Sequence, residues 1–190
     1  FIDEFQDLAG WDLDVVEMFL RTQIRIVIVG DPRQCTYSTN PSAKNSMYRS
    51  TGIRGLIEKW KSDGLCCVED LTISHRCNQS ICDFADSLWP EPDIKKTESR
   101  NNEITGHDGV FLVSAEHVDD YFKAFDPAIL RYNKKTSSYG YFAMSFGSTK
   151  GLQFRRVLIL PNGPIKKYIE NGEQIKAPTS LSKIYVAVTR

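Results

Sequence analysis

The chain has 190 residues, 41% hydrophobic and 25% charged, which suits a soluble globular protein with one or two small cores and leaves no low-complexity tract or internal repeat. Its 24 Lys and Arg balance its 24 Asp and Glu; this argues against a uniformly basic coat for nucleic acid and leaves a locally basic groove open, while Lys95-Lys96, Lys134-Lys135, Arg155-Arg156 and Lys166-Lys167 read as solvated loops or element ends. Cysteines at 35, 66, 67, 77 and 82 show no C-x-x-C and no paired His, so reduced thiols in a cytoplasmic protein are expected rather than zinc or disulfides, and no apolar run of about 18 residues or signal peptide is present.

Phe1-Ile2 reads as the end of a buried strand, and the chain stops at Val188-Thr189-Arg190 without a trailing tail, so a fragment of a longer protein is expected. Apolar residues at 11, 13, 15, 16, 19 and 20 predict an amphipathic helix over 11–20. The β-branched run Ile24 to Val29, ended by Gly30-Asp31-Pro32, predicts a buried parallel strand opening into a loop. Residues 38–47 read as loop, 50–61 as helix and 65–71 as a second strand. Ile81, Phe84, Ala85 and Leu88 share one face of a helix over 79–88, stopped by Pro90 and Pro92. Residues 90–108 read as a linker. Strands are expected over 109–113, 127–130, 140–144 and 157–160, with a helix over 117–125. The order of elements is that of an α/β protein.

Asp3-Glu4 follows an apolar strand end, where open α/β sheets place their ligands. One carboxylate can hold a Mg²⁺ that bridges nucleotide phosphates, while its neighbour orients or deprotonates the attacking water. Taken alone, such a pair more often caps the helix that follows.

The conjunction of boxes is more specific. Asp3-Glu4-Phe5-Gln6-Asp7 resembles the D-E-[FYA]-Q-D box (Walker B) of UvrD/Rep/PcrA-type superfamily 1 helicases, and Gly30-Asp31-Pro32-Arg33-Gln34-Cys35-Thr36-Tyr37 resembles their next box, G-D-x-x-Q-S-I-Y (motif III). Leu71-Thr72-Ile73-Ser74-His75-Arg76-Cys77-Asn78 is similar to L-x-x-N-[YF]-R-S, and the segment from Ser145 to Phe154 to T-x-H-x-[SA]-K-G-L-E-[FWY]. Leu181 to Arg190 is similar to the closing [LF]-x-Y-V-A-[VM]-T-R. His75, Gly147 and Gln153 depart from the family's aromatic, His and Glu.

The resemblance implies a RecA-like P-loop NTPase fold, with 1–63 the C-terminal part of a first RecA-like domain and 64–190 a compact second one lacking the accessory helical insertion. It implies ATP and Mg²⁺ as cofactors. Asp3 would hold the metal and Glu4 would act as base, with Gln34, Arg76 and Arg190 completing the catalytic set. Gln6 and Gln34 would sense the terminal phosphate, and Asp31, His75, Lys150, Gly151 and Gln153 complete the nucleotide side. Lys150-Gly151 also suits a contact with a phosphate backbone. Tyr37, Ser145 and Thr189 would meet single-stranded DNA or a junction. The phosphate loop G-x-x-x-x-G-K-[ST] is absent and is expected upstream of Phe1, so the fragment alone is expected to be inactive.

Two readings remain open at this level. One is an ATP-dependent DNA helicase or translocase moving 3′ to 5′, with a nuclease or a repair or defence protein as partner. The other is a nucleotide-gated regulatory or DNA-binding module with weak or no turnover, acting with a nuclease or other effector and favoured by His75, Gly147 and Gln153. A P-loop kinase or GTPase shares the sheet but does not explain two arginines so far apart in sequence.

Overall fold

The apolar period over 11–20 becomes helix α1 (Trp11–Leu20) in the computed structural model, which describes residues 1–89 and 94–190. Contacts divide the chain at Asp70/Leu71 into the units Phe1–Asp70 and Leu71–Arg190. In the first, α1 buries Leu13 and Val16, and Asp12 and Asp14 in its first turn oppose the positive end of the helix dipole. Helix α2 (Ile53–Ser62) buries Ile53, Leu56 and Trp60, one stripe at helical spacing, and these pack with Phe5, Leu13 and Val16 into one core. The Phe5 and Trp60 rings lie 5.6 Å apart, and the Trp60 indole N–H donates to Glu17 at 2.9 Å, so the buried aromatic keeps its polar atom paired.

The buried strand expected over 24–29 is reduced to a single parallel bridge, Ile2 with Ile28. Ile2 donates to Val27 (2.9 Å), Val29 to Ile2 (2.8 Å) and Phe5 to Val29 (3.0 Å), while Ile24 and Val27 stay exposed. One partner strand among the described residues cannot sustain a longer ladder. The strand expected over 65–71 does not form either: Val68 and Leu71 are exposed, and pairing starts only at β1 (Ile73–Ser74).

In the second unit β1 pairs in parallel with β2 (Glu98–Ser99), so the expected linker contains a strand. Residues 90–93, including Pro90 and Pro92, lie outside the described residues. Helix α3 (Gln79–Ser87) is capped by Asn78, whose side chain accepts from the Ile81 amide. The other sheet has the order β4-β3-β5, with β3 Ala128–Arg131, β4 Met144–Ser145 and β5 Val157–Leu160, all parallel. Side chains alternate across it. Leu130 joins a core with α3, α5 (Gly163–Asn171) and α6 (Pro178–Val188), whereas Ile129, Leu158 and Leu160 pack under α4 (Val118–Phe125). Helices on both faces of a parallel sheet define an α/β unit, compatible with a RecA-like fold.

Two further strand expectations are corrected. Among the described residues, 109–113 have no ladder partner; Phe111 stacks instead on His107 at 4.0 Å, and Leu112 is exposed. The strand expected over 140–144 begins only at Met144, because Tyr139 and Gly140 take positive φ (54° and 84°) and turn the chain. Helices α5 and α6 had not been assigned from the sequence. Asn162 caps α5 and Gly172 ends it, while α6 is buried over Ile184–Val188 on nearly every side and so carries no amphipathic period. No helix among the described residues is long and apolar enough to cross a membrane.

Candidate active site

The carboxylates of the first unit sit where the Ile2 and Ile28 segments end. Asp3 Oδ1 accepts the Glu4 amide at 2.8 Å, and Glu4 is left-handed (φ 53°), which turns the chain into the short 3-10 helix Phe5–Asp7. A non-glycine residue in this region is uncommon, and active-site turns are one of its usual settings. Both acids are solvent-exposed.

Gln6 lies beneath them, 2% exposed. Its Nε2 donates to Glu4 Oε2 at 2.5 Å and its Oε1 accepts the Asp31 amide at 3.0 Å. One buried amide thus ties the Asp-Glu box to the Gly-Asp-Pro turn. Gly30 is required for this approach, because a Cβ there would lie 2.5 Å from Gln6 Oε1. The Cys35 thiol donates to the Gln6 carbonyl at 3.2 Å and closes the arrangement from the far side.

Asp31 is the hub of the turn. It accepts from the Arg33 amide (3.0 Å), from Arg33 Nε (3.0 Å) and from Gln34 Nε2 (3.2 Å). Burial pushes its carboxyl upward, but the Arg33 guanidinium and these hydrogen bonds outweigh that and hold it below the ordinary carboxylate range. Arg33 was not singled out in the sequence; an Arg two residues after a turn Asp was the available signal. Tyr37 follows, 67% exposed, and the loop beyond it is pinned to α1 through Thr39, whose hydroxyl donates to Asp12 at 2.6 Å.

In the second unit residues from three distant boxes converge. Arg76 Nη1 donates to the Thr189 carbonyl at 3.3 Å, and the Phe154 amide donates to the Arg190 carbonyl at 2.8 Å. His75, Arg76, Gln153 and Arg190 line one groove of about 890 Å³ whose floor is apolar. Arg190 is buried and Arg76 exposed. The Asn101 side chain donates to the Arg76 carbonyl at 2.6 Å. Cys77 borders the same groove, and burial pushes its thiol up to about 11.

The remaining expected residues of the second unit do not line that groove. Ser145 ends β4 opposite Arg131, and its hydroxyl donates to Ser148 at 3.0 Å. Lys150 closes a one-turn 3-10 helix (Phe146–Thr149), and Gly151 takes φ 81°, a value only glycine adopts without strain. The Thr189 hydroxyl donates to the Tyr185 carbonyl at 2.9 Å and finishes α6.

Residues 1–51 match the UvrD/REP helicase N-terminal domain, which supports a UvrD-like helicase family for this chain. No curated protein matches it.

Mg²⁺ is usually held by one or two carboxylates together with substrate phosphates and waters. Asp3 beside Glu4, exposed at a strand end, is a donor set of that kind. A guanidinium pair suits a different task, the bidentate neutralisation of phosphate oxygens.

Proposed function

We propose that the chain is part of an ATP-driven motor of the UvrD type, a DNA helicase or translocase moving 3′ to 5′ on single-stranded DNA, in which both units adopt RecA-like folds. The carrying observation is the Gln6 bridge: the two boxes inside the matched residues 1–51 are tied into one surface presenting Asp3, Glu4, Asp31 and Gln34. On this reading Asp3 holds Mg²⁺ and Glu4 receives the proton of the attacking water, with Gln34 beside them. Bound Mg²⁺ supplies neutralising charge on the phosphates. Arg76 and Arg190 stabilise the charge that builds on the transferring phosphoryl group, and His75 and Gln153 serve the nucleotide. Tyr37 offers an exposed ring for base stacking, and Ser145, Lys150 and Gly151 offer contacts to a phosphate backbone. Gln6 acts as a positioning residue whose buried amide orients Glu4, rather than as the direct phosphate sensor that the resemblance implied.

The test is ATP hydrolysis by the full-length protein, with and without single-stranded DNA, against Glu4→Gln. DNA-stimulated turnover that falls by about 10²–10⁴ in Glu4→Gln supports the motor. Nucleotide binding without turnover in either protein overturns it in favour of the nucleotide-gated module that His75, Gly147 and Gln153 would permit. Strand separation is read in a separate unwinding assay.

A further inference from the structure

Arg76 occupies a turn between β1 and α3, and such a turn does not by itself hold a long cationic side chain in one place. The turn in this protein is stitched from outside. The register of β1 on β2 aligns Ile73 with Glu98 and Ser74 with Ser99, and the contacts continue past the strand ends. The Arg100 amide donates to the Ser74 carbonyl at 2.7 Å, Ser99 Oγ to the Cys77 carbonyl at 2.8 Å, and Asn101 Nδ2 to the Arg76 carbonyl at 2.6 Å. Three of the four carbonyls from 74 to 77 thus accept from the consecutive residues 99–101.

Asn101 is itself held at three points. Its amide donates to Ser99 Oγ at 3.0 Å, and its Oδ1 accepts the Glu103 amide at 2.8 Å. The side chain therefore needs a donor at one end and an acceptor at the other. A carboxylate has no donor, an aliphatic residue has neither, and a glutamine is a methylene too long for the same span. Asn101 also borders the groove that holds Arg76 and Arg190. The guanidinium of Arg76 is anchored from the opposite direction by the Thr189 carbonyl. The residue is therefore held by its own carbonyl on one side and by its side chain on the other.

We infer that Asn101 is the positioning residue for Arg76, fixing its backbone so that the guanidinium stands ready in the groove. The inference rests on the proposed role of Arg76 at phosphate. Displacement of a catalytic group by about 1 Å can lower a rate about 10²-fold, so loss of this bond acts on turnover rather than on nucleotide affinity.

The experiment is steady-state ATP hydrolysis by the full-length protein in the presence of single-stranded DNA. Asn101→Ala, Arg76→Ala and the double variant are compared at enzyme concentrations high enough to read residual rates, with thermal midpoints in parallel. The expected result is a kcat lowered about 10- to 100-fold by Asn101→Ala, a KM for ATP within about twofold, and almost no further loss when it is added to Arg76→Ala. Asn101→Asp, the same size but without the donor, should behave like Asn101→Ala, and it carries the test if the alanine variant does not fold. A kcat within about twofold of wild type while Arg76→Ala is inactive overturns the inference and leaves the function intact. Losses that simply multiply in the double variant also overturn it, since Asn101 would then act independently of Arg76. Unimpaired hydrolysis by Arg76→Ala instead removes the functional reading on which the inference stands.

Discussion

The two charged clusters are built in opposite ways. In the first unit the carboxylates are set by one buried amide over a modest span of chain: Gln6 reaches Glu4 across two positions and Asp31 across 25. In the second unit Arg76 is tied to Thr189 across 113 positions, and Arg190, just past the buried helix α6, lines the same groove. A site spanning so little chain inherits its geometry from one pairing, that of Ile2 with Ile28, which brings its two turns together. One built from distant segments inherits it from the packing of the whole core, and is lost when that core loosens.

This comparison breaks first at Arg190. Arg190→Ala should lower DNA-stimulated ATP hydrolysis by the full-length protein by about 10³ or more. Arg190→Lys should recover little of it, because an ammonium lacks the planar fork. A loss below about tenfold would remove the second unit from phosphate chemistry.

The next effect falls on stability. Gln6→Leu leaves the Glu4 carboxylate and the buried-side Asp31 amide without their shared partner, and should destabilise the first unit by about 1–3 kcal/mol in urea denaturation. Gly30→Ala should destabilise the same unit, since its Cβ would press on Gln6. If both variants unfold like wild type, the Gln6 bridge does not hold the carboxylate site.

A smaller effect concerns acid. The folded Asp31 carboxyl is held below its unfolded value, so its contribution is complete above about pH 3.9 and is lost as pH falls through the folded value. Wild type should therefore lose stability more steeply than Asp31→Asn below about pH 4, read as the acid-unfolding profile by circular dichroism. Parallel profiles would show that Arg33 does not stabilise the turn.

The smallest effect is on labelling. Cys67 is exposed, whereas Cys77 is buried with its thiol raised to about 11. Alkylation of the native protein at neutral pH, followed by mass spectrometry, should mark Cys67 first and Cys77 only slowly. Equal rates would mean that the wall behind Arg76 opens readily.

Much of the secondary structure was legible in the sequence. Helix α1 (Trp11–Leu20) and strand β5 (Val157–Leu160) lie where the apolar patterns predict them, because each buries one continuous stripe or alternates between two cores. The strands expected over 24–29, 65–71 and 109–113 failed together, for one reason. A short run with apolar residues suits extended backbone, but a ladder needs a partner that the run itself does not name. Helix α6 (Pro178–Val188) went unassigned for the complementary reason: burial on nearly all sides erases the polar face on which a helical period depends.

The residue types at the candidate site were readable as boxes, since acids after a strand end and arginines at family-like spacing carry their chemistry in their identity. The contacts that hold them were not. Asn101 and Ser99 lie in a polar stretch without apolar period, which reads as linker, and nothing local in that stretch points to Arg76. Gln6 was read as a phosphate sensor, although its burial and its bridge to Asp31 follow only from the pairing of Ile2 with Ile28.

What the sequence determined by itself was the chemical inventory and the elements whose burial pattern is periodic, because both are written in residue type and spacing along one segment. Tertiary structure alone decided which segments pair, that Gln6 joins two boxes, and that residues 99–101 grip the Arg76 turn. A hydrogen bond between distant residues depends on where two backbones meet in space, and that meeting is set by the cores on which they are packed.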